Sequence, residues 1–336
     1  MIGDLLSIIV LFSKMAYLKY FMKTFLPIVL AQYPRVKWLK TVPNGGAHSG
    51  RGLRKGNGIV PSFDDRLWLV ADDGHLLVYD QANGDLLFQV DPNVAQNGEN
   101  VEWTESRSSV ALYYNDAHNS DVFHDVAYCV YALLEIAATG AERSRIVAMN
   151  GNGTFRWSQI MEGTVEGTPV ISADGKSVFV TRNVITSTNV QNPTRRGAFT
   201  TISDDSRLIT ADFPSFDNYP FGPLSHVFQH GNDILYWADP WKFGYAGAGS
   251  TGILYQYDSS VDKVNQLQEF GLNAVTAPTL TNDGRKLWLG GSNTQVMGWS
   301  SMSGTFNETA AFTSTLDQND RNKTARKCVQ CYCHSF

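Results

Sequence analysis

Four side chains of the kind that bind soft metals stand near the end of the chain: Cys328, Cys331, Cys333 and His334. A Cys-X-X-Cys pair supplies half of a tetrahedral zinc site, and Cys with His suits zinc or thiol redox chemistry. Four ligands so close in sequence cannot wrap one ion without help from elsewhere. Tyr332 follows Cys331, so the Cys-X-X-Cys-His pattern of covalent haem attachment fails. In an oxidising compartment such cysteines form disulfides instead. The expectation is no metal and no cofactor. Cys129 stands alone in a strand rich in Val and Tyr and reads as a buried structural thiol.

Two further segments carry groups suited to recognition. Asp116, His118, Asp121, His124 and Asp125 concentrate charge in one polar loop, a candidate site or a solvated loop. Trp237, Trp241, Phe243 and Tyr245 flank the Gly-rich insertion DPWKFGYAGAGS, a candidate ligand-binding loop. Aromatics among small residues make platforms for sugars or peptides, and they serve equally in packing one sheet on another. The acidic turns Asp72-Asp73-Gly74, Asp204-Asp205 and Asn282-Asp283-Gly284 do not follow the calcium-loop pattern, and hairpins account for them. G-x-S-x-G, P-loop and H-E-x-x-H motifs do not occur, so no catalytic set is assigned.

The bulk composition bounds the answer. With 43% apolar and 18% charged residues the chain is globular, and a net charge of −5 gives no electrostatic reason to expect nucleic acid. Arg51, Arg54 and Lys55 form a short basic run among glycines, read as a solvated loop. Twelve per cent aromatics and 29 glycines point to many short strands joined by tight turns. Residues 1–31 differ: two apolar runs are interrupted by Lys14, Lys19 and Lys23, and none reaches the ~18 apolar residues of a spanning helix. Val29-Leu30-Ala31 before Gln32 fits a signal-peptide cleavage site, and an uncleaved anchor is the alternative. Sequons at Asn152, Asn307 and Asn322 agree with a secreted or lumenal protein, and Pro193 excludes Asn192.

What must position these groups is a repeat. One unit begins at Pro61, PSFDDRLWLVADDGHLLVYDQANGDLLFQV, and another at Pro278, PTLTNDGRKLWLGGSNTQVMGWSSMSGTFNETAAF. Aligned on these prolines, Asp65 meets Asn282, and Leu67-Trp68-Leu69 falls near Leu287-Trp288-Leu289. Asn83-Gly84 is matched to Ser303-Gly304, and Phe88 to Phe306. Strands run over Leu67–Ala71, Leu76–Asp80 and Leu86–Val90, turned at Asp73-Gly74 and Asn83-Gly84, where both central residues tolerate positive φ. Three looser copies lie between, built around Ser108–Ser158, Pro169–Ala211 and Pro223–Phe270. Long polar segments at 115–125, 183–196 and 239–250 interrupt them.

Proline, Ser, Asp-Gly, strand, an Asn-Gly turn and a closing aromatic (Phe88, Trp157, Phe306) together resemble the repeat of quinoprotein (PQQ-like) propellers, over roughly Val36 to Phe312. The resemblance implies an all-β β-propeller of four-stranded antiparallel blades, with about five units visible and the ring incomplete or open. With the N-terminal and C-terminal readings, three segments are expected: a signal or anchor at 1–31, the propeller at 32–312, and an irregular tail at 313–336. The family includes dehydrogenases, scaffolds and sensors. Its dehydrogenases stack a quinone on an adjacent Cys-Cys disulfide beside a calcium ion, and this sequence has no adjacent cysteines. The strand at Val36–Thr41 is suited to sealing a ring, with Trp38 as its closing aromatic. Partner strands for it do not follow Phe312, so the expectation is a truncated or misjoined end, or an open five-unit arc completed by another chain; a closed five-blade ring would leave Trp38 without a place. The resulting expectation is a non-enzymatic binding or scaffold propeller. It takes a protein or glycan ligand on its face loops and meets a membrane only through an uncleaved N-terminal segment. A PQQ- or metal-dependent oxidoreductase with a divergent or truncated site is the alternative.

Overall fold

The computed structural model describes residues 39, 58–95, 100–114, 125–165, 167–185, 195–205, 209–214, 224–229, 231–239, 252–270, 278–281, 286–290, 295–301 and 306–313. The chain divides into two units, Met1–Thr41 and Val42–Phe336. In the first, only Leu39 is described. The expected signal segment 1–31, the rest of the sealing strand at Val36–Thr41 and the Cys328–His334 cluster lie outside the described residues.

The second unit is a succession of five antiparallel sheets among the described residues, four of them meanders in chain order. The first blade is β1 (Val60–Pro61), β2 (Arg66–Val70), β3 (Leu76–Asp80) and β4 (Leu86–Val90). The second is β5 (Val101–Ser106), β6 (Ala111–Tyr114), β7 (Val126–Ala137), β8 (Glu142–Asn150) and β9 (Phe155–Glu162). The third is β10 (Val170–Ile171), β11 (Ser177–Ile185), β12 (Arg195–Ser203) and β13 (Ile209–Pro214). The fourth is β14 (Ser225–Gln229), β15 (Asn232–Asp239), β16 (Gly252–Asp258) and β17 (Lys263–Phe270). The fifth is β18 (Thr279–Leu280), β19 (Lys286–Gly290), β20 (Gln295–Ser301) and β21 (Phe306–Thr313).

The first four blades pack face to face in succession, and the fold is a β-propeller. β7 shows why. Its sequence VAYCVYALLEIA is apolar at nearly every position because both faces of the strand are covered. Cys129, Tyr131 and Leu133 join Trp68, Val70, Leu76 and Val78 of the first blade. Tyr128, Val130 and Ala132 join Ile171, Val178, Val180 and Ile202 of the third. A third cluster links Phe179 and Phe199 to Leu235, Trp237, Ile253 and Tyr255 of the fourth blade. On the far face of the first blade Leu69, Ala71, Leu77 and Tyr79 form a separate buried cluster.

In the second blade the innermost strand is split between β5 and β6, and both pair with β7. Serines fill the break. Ala132 N–H donates to Ser108 Oγ at 2.9 Å, and the Ser106 hydroxyl donates to Ala132 O at 3.1 Å. The ladder's buried backbone groups are thereby satisfied.

One irregularity recurs in all five blades and fixes the repeat register. Between third and fourth strands the pairing shifts after Val78↔Phe88, Ala148↔Trp157, Thr201↔Ala211, Leu254↔Gln268 and Gly298↔Ala310. Each bulge adds one unpaired residue on the outer strand. Phe88 and Trp157 are thus equivalent, as expected, whereas Phe306 is not; Ala310 occupies that place. The proline alignment also needs correction. The innermost pairs are Val60↔Trp68, Val170↔Phe179 and Thr279↔Trp288, so Pro61 corresponds to Ile171 and Leu280. Ser62, Ser172 and Thr281 each donate a backbone N–H across the turn, to the carbonyls of Arg66, Ser177 and Lys286. That turn is one residue shorter in the first blade, where Asp65 takes φ 57°, and this adds one place to the two by which Pro61 and Pro278 are already out of register.

Candidate functional site

The first-to-second-strand turns and the third-to-fourth-strand turns carry the described polar chemistry, and they use it to join blades. In the first blade the Ser62 hydroxyl donates to Asp64 Oδ1 and the Arg66 guanidinium donates to Asp64 Oδ2. Trp68 Nε1 donates to Ser62 Oγ at 3.1 Å. Arg66 also donates to the Gly151 carbonyl of the second blade at 2.8 Å, and Val126 N–H of that blade donates to Asp64 at 3.4 Å. Burial pushes the Asp64 pKa up. The hydrogen bonds from Ser62 and Arg66, the charge of Arg66 and the Val126 N–H outweigh it, so the carboxyl lies below its ordinary 3.8.

The second and third blades meet at Asp204. Arg156, the extra residue of the β9 bulge, donates to both Asp204 oxygens, with Nε at 3.0 Å from Oδ1. Trp157 Nε1 donates to Asp204 Oδ1 at 2.6 Å. The same guanidinium lies 4.7 Å from the Tyr128 ring centroid, a cation–π contact. Tyr128 in turn donates its hydroxyl to the Gly175 carbonyl at 2.5 Å. Burial first, then the nearby Asp204 charge, raises the Tyr128 phenol far above its usual range. The hydrogen bond to Asp204 raises Arg156 against the opposing effect of burial. Between third and fourth blades, Asp233 Oδ1 accepts the Ala173 N–H at 2.9 Å and lies 2.7 Å from His226 Nε2.

One charged group sits deeper. Glu135 on β7 is fully buried, with Oε1 at 2.5 Å from Arg145 Nε and Oε2 at 3.2 Å from Arg143 Nε. Arg145 is 1% exposed and also donates to Ser158 Oγ at 3.3 Å. One carboxylate thereby ties two guanidiniums of β8 to β7 through charge-assisted hydrogen bonds. These acids are fixed in bonds between strands and blades, and the arrangement is one of cohesion.

The segments singled out in the sequence fare differently. Trp237 is corrected: it belongs to β15 and is 1% exposed. Phe199 stacks on it at 4.9 Å and Tyr255 at 5.5 Å, so it packs the third blade on the fourth and offers no platform. Trp241, Phe243 and Tyr245 lie outside the described residues, as do Asp116, His118, Asp121 and His124. Asp125 is exposed immediately before β7. Asn152 is exposed in the β8–β9 turn, Asn307 lies within β21, and Asn322 lies outside the described residues. Cys129 is fully buried, and burial pushes its thiol up to about 12, so it is held as the unreactive thiol. In the sequence Asp204 reads as a plain turn, and Asp64, Asp233 and Glu135 stand out no more than other acids. Their partners stand up to 62 residues away and no local pattern marks them.

The Asp64 latch predicts a pH dependence. A depressed folded-state pKa means stability that is present above 3.8 and is lost as the pH falls through the lower folded value. Wild type should therefore exceed Asp64→Asn in urea midpoint at pH 6, with the gap closing on acidification below pH ~3.8. A gap independent of pH contradicts the latch.

No sequence-family model matches the chain, and no curated protein sequence matches it. Solved structures similar to it include the Dos1 propeller, at 14% identity and a TM-score of 0.49, covering 78% of this chain and 59% of that one. Another is the β-propeller domain of Cps50 (Swd1) from Myceliophteria thermophila, at 11% identity and 0.47, covering 80% and 74%. A third is a Synechocystis apocarotenoid oxygenase mutant, at 11% and 0.44, covering 76% and 59%. The chain thus spans about 59% of the length of the first and last of these.

Proposed function

We propose that this chain is a propeller of the quinoprotein-repeat type that binds a protein or glycan partner, without catalysis, in the secretory lumen or outside the cell. The observation that supports this reading is a division between the two ends of the blades. Successive turns of an antiparallel meander lie at alternate ends of the sheet. At one end, Asp64, Arg66, Arg156, Asp204 and Asp233 bond to a neighbouring blade. At the other end two of the five second-to-third-strand connections depart from the repeat. The first blade needs only residues 71–75, whereas 186–194 and 240–251 join the same strands in the third and fourth blades. Insertions carried on a rigid scaffold are where recognition usually resides.

The test is to replace residues 240–250 with a short Asn-Gly turn. The variant should keep the wild-type unfolding midpoint and lose binding on a glycan array or to secreted-protein baits. Equal binding by both forms overturns the reading. Turnover after reconstitution with PQQ and calcium, seen as dye reduction with alcohols or sugars, overturns it too.

A further inference from the structure

We infer that Asn152 is a glycan acceptor whose sugar projects from the turn end of the second blade, an inference that rests on the secretory reading above. The three-residue sequon Asn152-Gly153-Thr154 forms the tight turn between β8 and β9. Gly153 takes φ +83°, a left-handed conformation that glycine adopts freely and that other residues resist. A Cβ there would also fall 2.8 Å from the Phe88 ring, so a first-blade side chain supports the turn from below.

The turn sorts the two ends of the Asn152 carboxamide. Its Oδ1 accepts the Thr154 N–H at 3.0 Å and the Thr154 hydroxyl at 2.7 Å. Thr154 Oγ1 is in turn held by Asn150 Nδ2 at 2.9 Å. The oxygen is committed inward, the side chain is exposed, and Nδ2 keeps its valence for a substituent. A glycan at Nδ2 therefore costs the folded turn none of these hydrogen bonds. The chemistry is a transfer in which Nδ2 loses one proton and bonds the anomeric carbon of a lipid-pyrophosphate-linked oligosaccharide, and the lipid pyrophosphate leaves. The neighbouring Gly151 carbonyl takes the Arg66 bond from the first blade, so the sugar sits beside a junction between blades. That is the end opposite the second-to-third-strand connections. The glycan would cover the latch end and leave the other end for a partner.

The full chain is expressed in cultured eukaryotic cells, once behind its own N-terminal segment and once behind an unrelated cleavable signal. Secreted protein is treated with peptide-N-glycosidase in heavy-oxygen water and mapped by mass spectrometry. The expected result is a heavy-oxygen aspartate at position 152 in the majority of molecules. Asn152→Gln removes one mobility step, while Thr154→Ser keeps the hydroxyl and the step. Folded, secreted chain with position 152 unmodified behind the unrelated signal overturns the inference. Modification there, with no secretion behind the chain's own segment, upholds the acceptor and overturns the secretory reading.

Discussion

Glu135→Gln lowers stability by about 3–5 kcal/mol, read as the urea midpoint at neutral pH. Removing the charge leaves two guanidiniums without their shared carboxylate, and Arg145 has almost no contact with water. The loss comes from the cation left behind more than from the attraction removed, because a buried pair itself returns little against its desolvation. The double replacement Glu135→Leu with Arg145→Met should therefore recover a large part of the deficit. Glu142→Gln, at the exposed start of β8, should change stability by less than about 0.5 kcal/mol. A wild-type midpoint for Glu135→Gln contradicts the account of this site.

Asp204→Ala has the second largest expected effect, a loss of about 2–4 kcal/mol. The carboxylate holds two donors from the neighbouring blade, Arg156 and Trp157 Nε1. Arg156 keeps 36% of its side chain in water, so its share is discounted for solvent screening. The indole N–H is buried, and leaving it unpaired carries the desolvation cost of an unmade hydrogen bond. Asp204→Asn retains an acceptor for the indole and should cost less than the alanine. Arg156→Gln combined with Asp204→Ala should show a loss smaller than the sum of the two, because the residues share a network. Strict additivity places Asp204 outside it.

The fold was legible because its evidence is local. Asp73-Gly74 and Asn83-Gly84 turn the chain where strands end, and the apolar run of β7 announces a strand covered on both sides. Register was harder. Prolines mark the approach to the innermost strand but not a fixed place in it, and the one-residue-shorter turn at Asp65 shifts everything that follows. The recurring outer bulge, a true marker, has no sequence signature, since its residues are Leu87, Arg156, Thr210, Leu267 and Thr309. The latches were illegible for a different reason. Asp204 and Arg156 lie 48 positions apart and meet only because two blades stack. Trp237 misled because an aromatic at the edge of an insertion looks the same whether it faces a ligand or the next sheet.

The stacking of blades on both faces of the second one is the premise of all this, and hydrogen exchange in the native state measures it directly. Amides of β7 from Tyr128 to Leu134 should exchange only through global unfolding, while those on the outer strand β4, where Leu86 and Leu87 are exposed, exchange through local opening. Exchange in β7 as fast as in β4 would contradict the account.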